Sequence, residues 1–148
     1  NQKGYNATLT VIGKAEDNKE LKKITADSNT IYIKALPKEK LLEVYRQNDI
    51  FVMPSIHETF GLVYAEALSQ GLPVIYTKNQ GFDGQFKEGY IGYSVNPYSY
   101  KDVANAIENV IRNYSNLQGN TIKSIHKFTW DDIVKKYKNI YKSIMKKS

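Results

Sequence analysis

Residues 54–75 read PSIHETFGLVYAEALSQGLPVI, and this stretch sets the architecture. Just before it, residues 49–53 (DIFVM) form a short apolar run closed by Pro54, which reads as a strand. Residues 60–70 then carry helical spacing and are stopped by Gly71 and Pro73. Residues 73–77 (PVIYT) read as the next strand. The order is strand, a loop containing Glu58, a helix beginning near Gly61, and strand again.

The alternation continues outward. Residues 8–13 (TLTVIG) and 30–33 (TIYI) read as buried strands, and residues 20–26 and 38–47 as helices, the second behind Pro37 at a first-turn position. Downstream, residues 91–95 (IGYSV) add a strand before a helix over 99–114. Ser99 and Asp102 have capping-box spacing there, and Val103, Ile107, Val110 and Ile111 form the apolar face. A closing helix over about 129–147 starts with Thr129 and Asp132 at the same spacing. Its apolar stripe of Trp130, Ile133, Tyr137, Ile140, Tyr141 and Ile144 predicts burial, with most lysines on the other face. Parallel neighbours need a crossover and a helix is the usual one, so the expected fold is an α/β open parallel sheet flanked by helices.

At 148 residues the chain is expected to be a single domain over 1–148, with the polar run 113–123 (NYSNLQGNTIK) the only linker candidate. The absence of cysteine excludes a disulfide framework and a thiolate metal site, and makes the cytoplasm the default setting. No apolar run approaches the ~20 residues that span a bilayer. The opening Asn-Gln-Lys-Gly has neither a signal-peptide pattern nor an initiator Met, and reads as the start of a piece of something longer. Net charge is +6, of which residues 129–148 hold six Lys against two Asp. That basic tail reads first as a solvated face, with anionic lipid at the inner face of the membrane as the alternative. Twelve tyrosines are many, but Tyr137 and Tyr141 fall on the predicted buried stripe, and no stacking platform for nucleic acid emerges.

In an open α/β sheet, ligands sit beyond the carboxyl ends of the strands. A helix N-terminus there offers unpaired N–H groups and a dipole suited to an anion. A phosphate fits beside Gly61, Leu62 and Val63, where Gly61 lets backbone approach a ligand. Glu58 and Glu66, eight positions apart, sit at different depths. Carboxylates accept from hydroxyls, and a sugar nucleotide has hydroxyl-rich rings on both sides of its diphosphate, which assigns sugar to Glu58 and ribose to Glu66. The competing reading makes Glu66 an exposed helix residue, Glu58 a helix-end charge and Gly61 a turn glycine. His57 is a single histidine with no partner at ligand spacing and is given no metal or catalytic role. Residues 79–84 (NQGFDG) follow the next strand and either border the sugar pocket through Gly81 or Asp83 or form a glycine turn.

The run HETFGLVYAEALSQGLPVI resembles the E-x7-E signature of glycosyltransferase family 4, with Glu58 and Glu66 in register. LTVIGKAED, DIFVMPS and FTWDDIVKKYKNIY resemble the family's earlier strand and turn, the strand before the signature, and the closing helix. The resemblance implies the C-terminal Rossmann-like half of a GT-B enzyme that transfers sugar with retention of configuration, in polysaccharide or cell-envelope glycan synthesis. It implies Glu58 as the catalytic-side residue on the donor sugar, with Phe60 and Gly61 bordering that sugar. Leu62 and Val63 give N–H groups to the diphosphate, Glu66 holds the ribose, and Leu36 and Leu41 lie on the base side. Its partners are a UDP- or GDP-linked sugar and an absent N-terminal acceptor domain, so the isolated piece is expected to be inactive. With the helix end at Gly61 to Val63 and the family's basic pair sharing the leaving charge, no cofactor and no metal are expected. Two departures stand out. Lys34 and Ala35 occupy the place where the family commonly has a glycine, and the family's basic Arg and Lys lie upstream of the LTVIG strand, outside this chain.

Two rivals remain in view: a non-catalytic nucleotide or sugar-nucleotide binding module, and another GT-B enzyme such as an epimerase or a phosphorylase. A receiver-type domain needs an Asp where this chain has Met53, Pro54 and Ser55 at a strand end.

Overall fold

The computed structural model describes residues 4–15 and 17–145. They divide into two compact units, one ending at Leu41 and the other starting at Leu42.

In the first unit, strand β1 (Leu9–Gly13) pairs in parallel with β2 (Thr30–Lys34), and helix α1 (Asn18–Ile24) makes the crossover. The Asp17 side chain accepts from the Lys19 N–H at 2.7 Å, and this cap starts α1 two residues before the predicted Glu20. The Tyr32 hydroxyl ties the two strand ends together by donating to the Gly13 carbonyl at 2.8 Å. Both strands were expected to be buried, yet Leu9 and Ile31 are half exposed. Side chains alternate across a strand, and the register pairs Leu9 with Thr30 and Thr10 with Ile31, so the two exposed apolar residues lie on opposite faces of this two-stranded sheet.

Helix α2 (Lys38–Arg46) crosses the division. The second unit holds β3 (Phe51–Val52), β4 (Val74–Thr77) and β5 (Gly92–Val95), all parallel, in the order β3-β4-β5. As the middle strand, β4 is buried at every residue. Helix α3 (Leu62–Ser69) links β3 to β4, and α4 (Tyr100–Arg112) follows β5. Ile75, Val95, Ala106, Val110 and Leu117 form one core cluster, with Val52, Val103 and Ile107 packed on it. The Ser99 hydroxyl accepts from the Asp102 N–H at 3.2 Å as predicted, while the Asp102 carboxylate reaches the Asn96 N–H at 2.7 Å.

Four expectations are corrected. The supposed linker 113–123 is mostly helix, α5 (Tyr114–Ser124). Its buried positions are Leu117, Thr121 and Ser124, and the two hydroxyls donate back to the Gln118 and Asn120 carbonyls at 2.7 Å each. A helical face made of Leu, Thr and Ser carries almost no apolar signal in sequence. Ile111, placed on the apolar face of α4, is exposed, while Ala106 takes a buried position one turn before the buried Val110.

After a short 3-10 turn (Ile125–Phe128), α6 (Trp130–Met145) leaves its stripe open. Ile133 is half-buried, but Trp130 is 79% exposed and Tyr137, Ile140, Tyr141 and Ile144 are exposed with it. Core packing therefore does not account for Tyr137 and Tyr141. An apolar stripe is buried only where another element lies against it, and past Ile133 every described residue of the helix is exposed. Thr129 makes no capping box either, because its hydroxyl donates to the His126 carbonyl at 2.9 Å and Asp132 faces Lys135 at 3.4 Å. Residues 146 and 147 of the expected closing helix, and Glu16 of the first loop, lie outside the described residues.

Candidate functional site

The junction from β3 to α3 is fixed to its surroundings at several points. The Tyr64 hydroxyl donates to the Met53 carbonyl at 2.6 Å, and the buried Thr77 hydroxyl donates to the Ser55 carbonyl, also at 2.6 Å. Farther along, the Glu58 N–H donates to the Gln80 side-chain oxygen at 3.0 Å, and the Glu58 carbonyl accepts from the Gly81 N–H at 3.2 Å. A loop with no regular secondary structure is thereby held at Met53, Ser55 and Glu58.

Gly61 caps α3 in the left-handed region, with φ 73° and ψ 63°. A side chain there would place its Cβ 2.4 Å from the Tyr64 ring and 3.3 Å from Glu58 Cγ. Gly61 thus lets the chain turn into the helix directly against Tyr64, with the Glu58 side chain lying over the turn. Burial pushes the Tyr64 hydroxyl up to about 12, and the Glu58 charge adds to the shift. The 3.3 Å from a Cβ at Gly61 to Glu58 Cγ sets the Glu58 side chain beside the start of α3.

Helix geometry leaves the first N–H groups of α3 without intrahelical partners. The Tyr64 N–H bonds the Gly61 carbonyl at 2.9 Å, and helix geometry leaves those of Leu62 and Val63, in the first turn, without an intrahelical acceptor. Leu62 is 70% exposed, so this end is open to solvent. Phe60 turns the other way, its ring edge-on to Phe128 at 6.0 Å, and packs the loop against an aromatic cluster that includes Tyr64, Tyr76, Phe82 and Phe86. Glu66 is half-buried on α3, five residues past Gly61 and about 7.5 Å along the axis. Burial raises the Tyr45 hydroxyl to about 12, and the Glu66 charge contributes to that rise, which sets Glu66 near Tyr45.

Glu58, Gly61, Leu62 and Val63 therefore come together at one helix end, with Glu66 a turn and a half deeper, while the ring of Phe60 packs on Phe128. Leu36 and Leu41 belong to the first unit, where both are half-buried. That unit has a cavity of about 370 Å³ at the carboxyl ends of β1 and β2, lined by Gly13, Lys14, Tyr32, Lys34 and Ala35 among others, and neither leucine lines it. His57 is exposed. Asp83 closes a turn, accepting from the Asn79 N–H at 2.7 Å and from the Gly84 N–H at 2.9 Å. Gln80 and Tyr64 carried no signal as functional residues in the sequence, because their role is contact with residues distant in the chain.

The chain matches the family described as glycosyl transferases group 1 over residues 1–128, and it belongs to that family. It is 31% identical over 108 residues to a sulfoquinovosyl transferase of Arabidopsis thaliana, covering 71% of this chain and 21% of that protein. It is 30% identical to an uncharacterized 41.2 kDa protein in the cps region of Klebsiella pneumoniae, covering 96% of this chain and 43% of that one. Among solved structures, Anabaena Alr3699/HepE in complex with UDP superposes with a TM-score of 0.78 at 21% identity, over 93% of this chain and 41% of that one. The chain thus spans less than half the length of these relatives. The fold is the Rossmann-like α/β arrangement of GT-B glycosyltransferases, as the sequence resemblance implied.

Proposed function

We propose that this chain supplies the donor side of a glycosyltransferase, binding a nucleoside-diphosphate sugar at the end of α3 for transfer to an acceptor. The observation that carries this reading is the junction itself: a carboxylate lies over a glycine turn, next to two first-turn N–H groups at a helix N-terminus. The helix end suits a diphosphate, since its dipole and free N–H groups favour negative charge. Glu58 accepts hydrogen bonds from sugar hydroxyls, and Glu66 accepts from ribose. Transfer breaks the bond from the anomeric carbon to the phosphate oxygen, and the electron pair leaves with the diphosphate. Donors aimed at that growing charge lower the barrier. The UDP bound to the Anabaena neighbour supports a nucleotide as ligand.

Calorimetric titration of the chain with UDP, GDP and ADP, then with UDP-glucose and GDP-mannose, tests this. Binding is expected to be tighter for a sugar nucleotide than for its bare nucleotide. Glu58→Ala is expected to remove about tenfold of affinity for the sugar nucleotide, the scale of one hydrogen bond to a charged acceptor, with the bare nucleotide unaffected. If no nucleoside diphosphate binds, the donor-side reading is wrong for this chain.

The same reading gives the open stripe of α6 a partner, the acceptor-binding half of a longer protein. Support comes from the greater length of the relatives and from the exposure of Trp130, Tyr137 and Ile140. No helix of the described residues is long and apolar enough to cross a membrane. Changing Tyr137 and Ile140 together to Ser is expected to alter the stability of this chain by less than about 0.5 kcal/mol, as for surface sites. In a protein carrying both halves, the same change should lower the unfolding midpoint clearly. Flotation of the chain with phosphatidylglycerol vesicles would replace that partner with an anionic membrane.

A further inference from the structure

The loop after β4 reaches back to one residue of the β3–α3 junction and takes both of its backbone polar groups. The Gln80 side-chain oxygen accepts from the Glu58 N–H at 3.0 Å, and the next N–H, of Gly81, donates to the Glu58 carbonyl at 3.2 Å. The approach is too close for any other residue at 81, since a Cβ there would lie 1.6 Å from the Thr59 carbonyl oxygen. The loop leaves β4, whose residues are all buried, and turns at Asn79 with φ 60°, its N–H held by Asp83. A rigid strand and a closed turn thus present Gln80 and Gly81 to Glu58 as a pair.

We propose that Gln80 is a positioning residue for Glu58, acting on sugar recognition through the Glu58 backbone. This rests on the donor-side reading above. Glu58 lies on a loop with no ladder or helix to fix it. Without the Gln80 acceptor its N–H would have to find water or another partner, and the side chain would lose a defined direction over Gly61. An ordered carboxylate meets the sugar hydroxyls already aimed, whereas a disordered one must be ordered on binding, at the expense of affinity. The diphosphate contacts come from the end of α3, which Gln80 does not touch. Its effect is therefore specific to the sugar.

The test is a double-substitution cycle of Gln80→Met and Glu58→Ala, titrated with UDP, UDP-glucose, GDP and GDP-mannose. Met keeps the length of Gln and removes the acceptor. In the unaltered background Gln80→Met should weaken the preferred sugar nucleotide about fivefold, within the range of one neutral hydrogen bond, and leave the bare nucleotide unchanged. In the Glu58→Ala background it should cost nothing further, because Gln80 acts only through Glu58. Gln80→Glu, which keeps an acceptor at the same reach, should restore the ratio of sugar-nucleotide to nucleotide affinity. Equal losses for nucleotide and sugar nucleotide, or independent losses in the cycle, would overturn the inference and leave Gln80 as a fold residue. If nucleotides bind but neither sugar adds affinity, the sugar role of Glu58 falls and this inference with it. Absence of all nucleotide binding instead removes the donor-side reading itself.

Discussion

Gly61→Ala is expected to lower the stability of the chain by about 3 kcal/mol and to weaken donor binding together with it. Two costs add. A residue other than glycine in the left-handed region loses roughly 1–2 kcal/mol, and forcing an atom into a packed site costs about 1–3 kcal/mol more. The second cost is unavoidable because the neighbour cannot yield. The new Cβ would meet the Tyr64 ring at 2.4 Å, and Tyr64 is 1% exposed. That ring lies 4.6 Å from Phe82 and 5.7 Å from Phe51, and its hydroxyl is tied to Met53. The turn must move instead, and Glu58 with it. Gly84→Ala is the control: its φ is 79° and nothing lies within 4 Å of a Cβ there, so only the backbone cost of roughly 1–2 kcal/mol is expected. Urea unfolding of both variants checks this. Equal, small losses would mean that the approach of Gly61 to Tyr64 is not a constraint.

The contrast between these glycines shows what the sequence made legible. A glycine before LVYAEAL predicts a turn into a helix, and the strand-loop-helix order was correct because apolar periodicity and Pro and Gly stops are local signals. The position of Glu58 next to that glycine was legible in the same way, through the spacing of the signature. What holds Glu58 was not. Gln80 and Gly81 stand 22 and 23 residues further along the chain, and a polar NQG sequence has many uses in a turn. Helix α5 was missed for a related reason: Thr121 and Ser124 are buried, yet their hydroxyls satisfy themselves on carbonyls within the helix. The stripe of α6 errs in the opposite sense, since periodicity identifies an apolar face and cannot say what lies against it.

Glu66→Ala is expected to weaken UDP, GDP and ADP alike by about 100-fold. Ribose is common to the three, and a carboxylate that accepts from both of its hydroxyls makes two hydrogen bonds, each near the lower end of the roughly 1.5–3 kcal/mol that a bond to a charged group contributes net of water. Glu66→Gln keeps one neutral acceptor oxygen, so an intermediate loss of about tenfold is expected, since a neutral bond is about half as strong. A substrate change gives an independent check. 2′-Deoxy-UDP should bind the unaltered chain more weakly than UDP, and the gap should shrink in Glu66→Ala, where no carboxylate is left to notice the missing hydroxyl. Folding of the variant is monitored at Tyr45. Burial is the larger cause of its raised pKa, so its titration should stay well above 10 while falling slightly as the Glu66 charge is removed. A variant that shows this Tyr45 titration and binds UDP as tightly as the parent would leave Glu66 a helix-face residue with no part in the donor site. Loss of UDP with the discrimination against 2′-deoxy-UDP intact would assign the lost contact to a part of the nucleotide other than the 2′-hydroxyl.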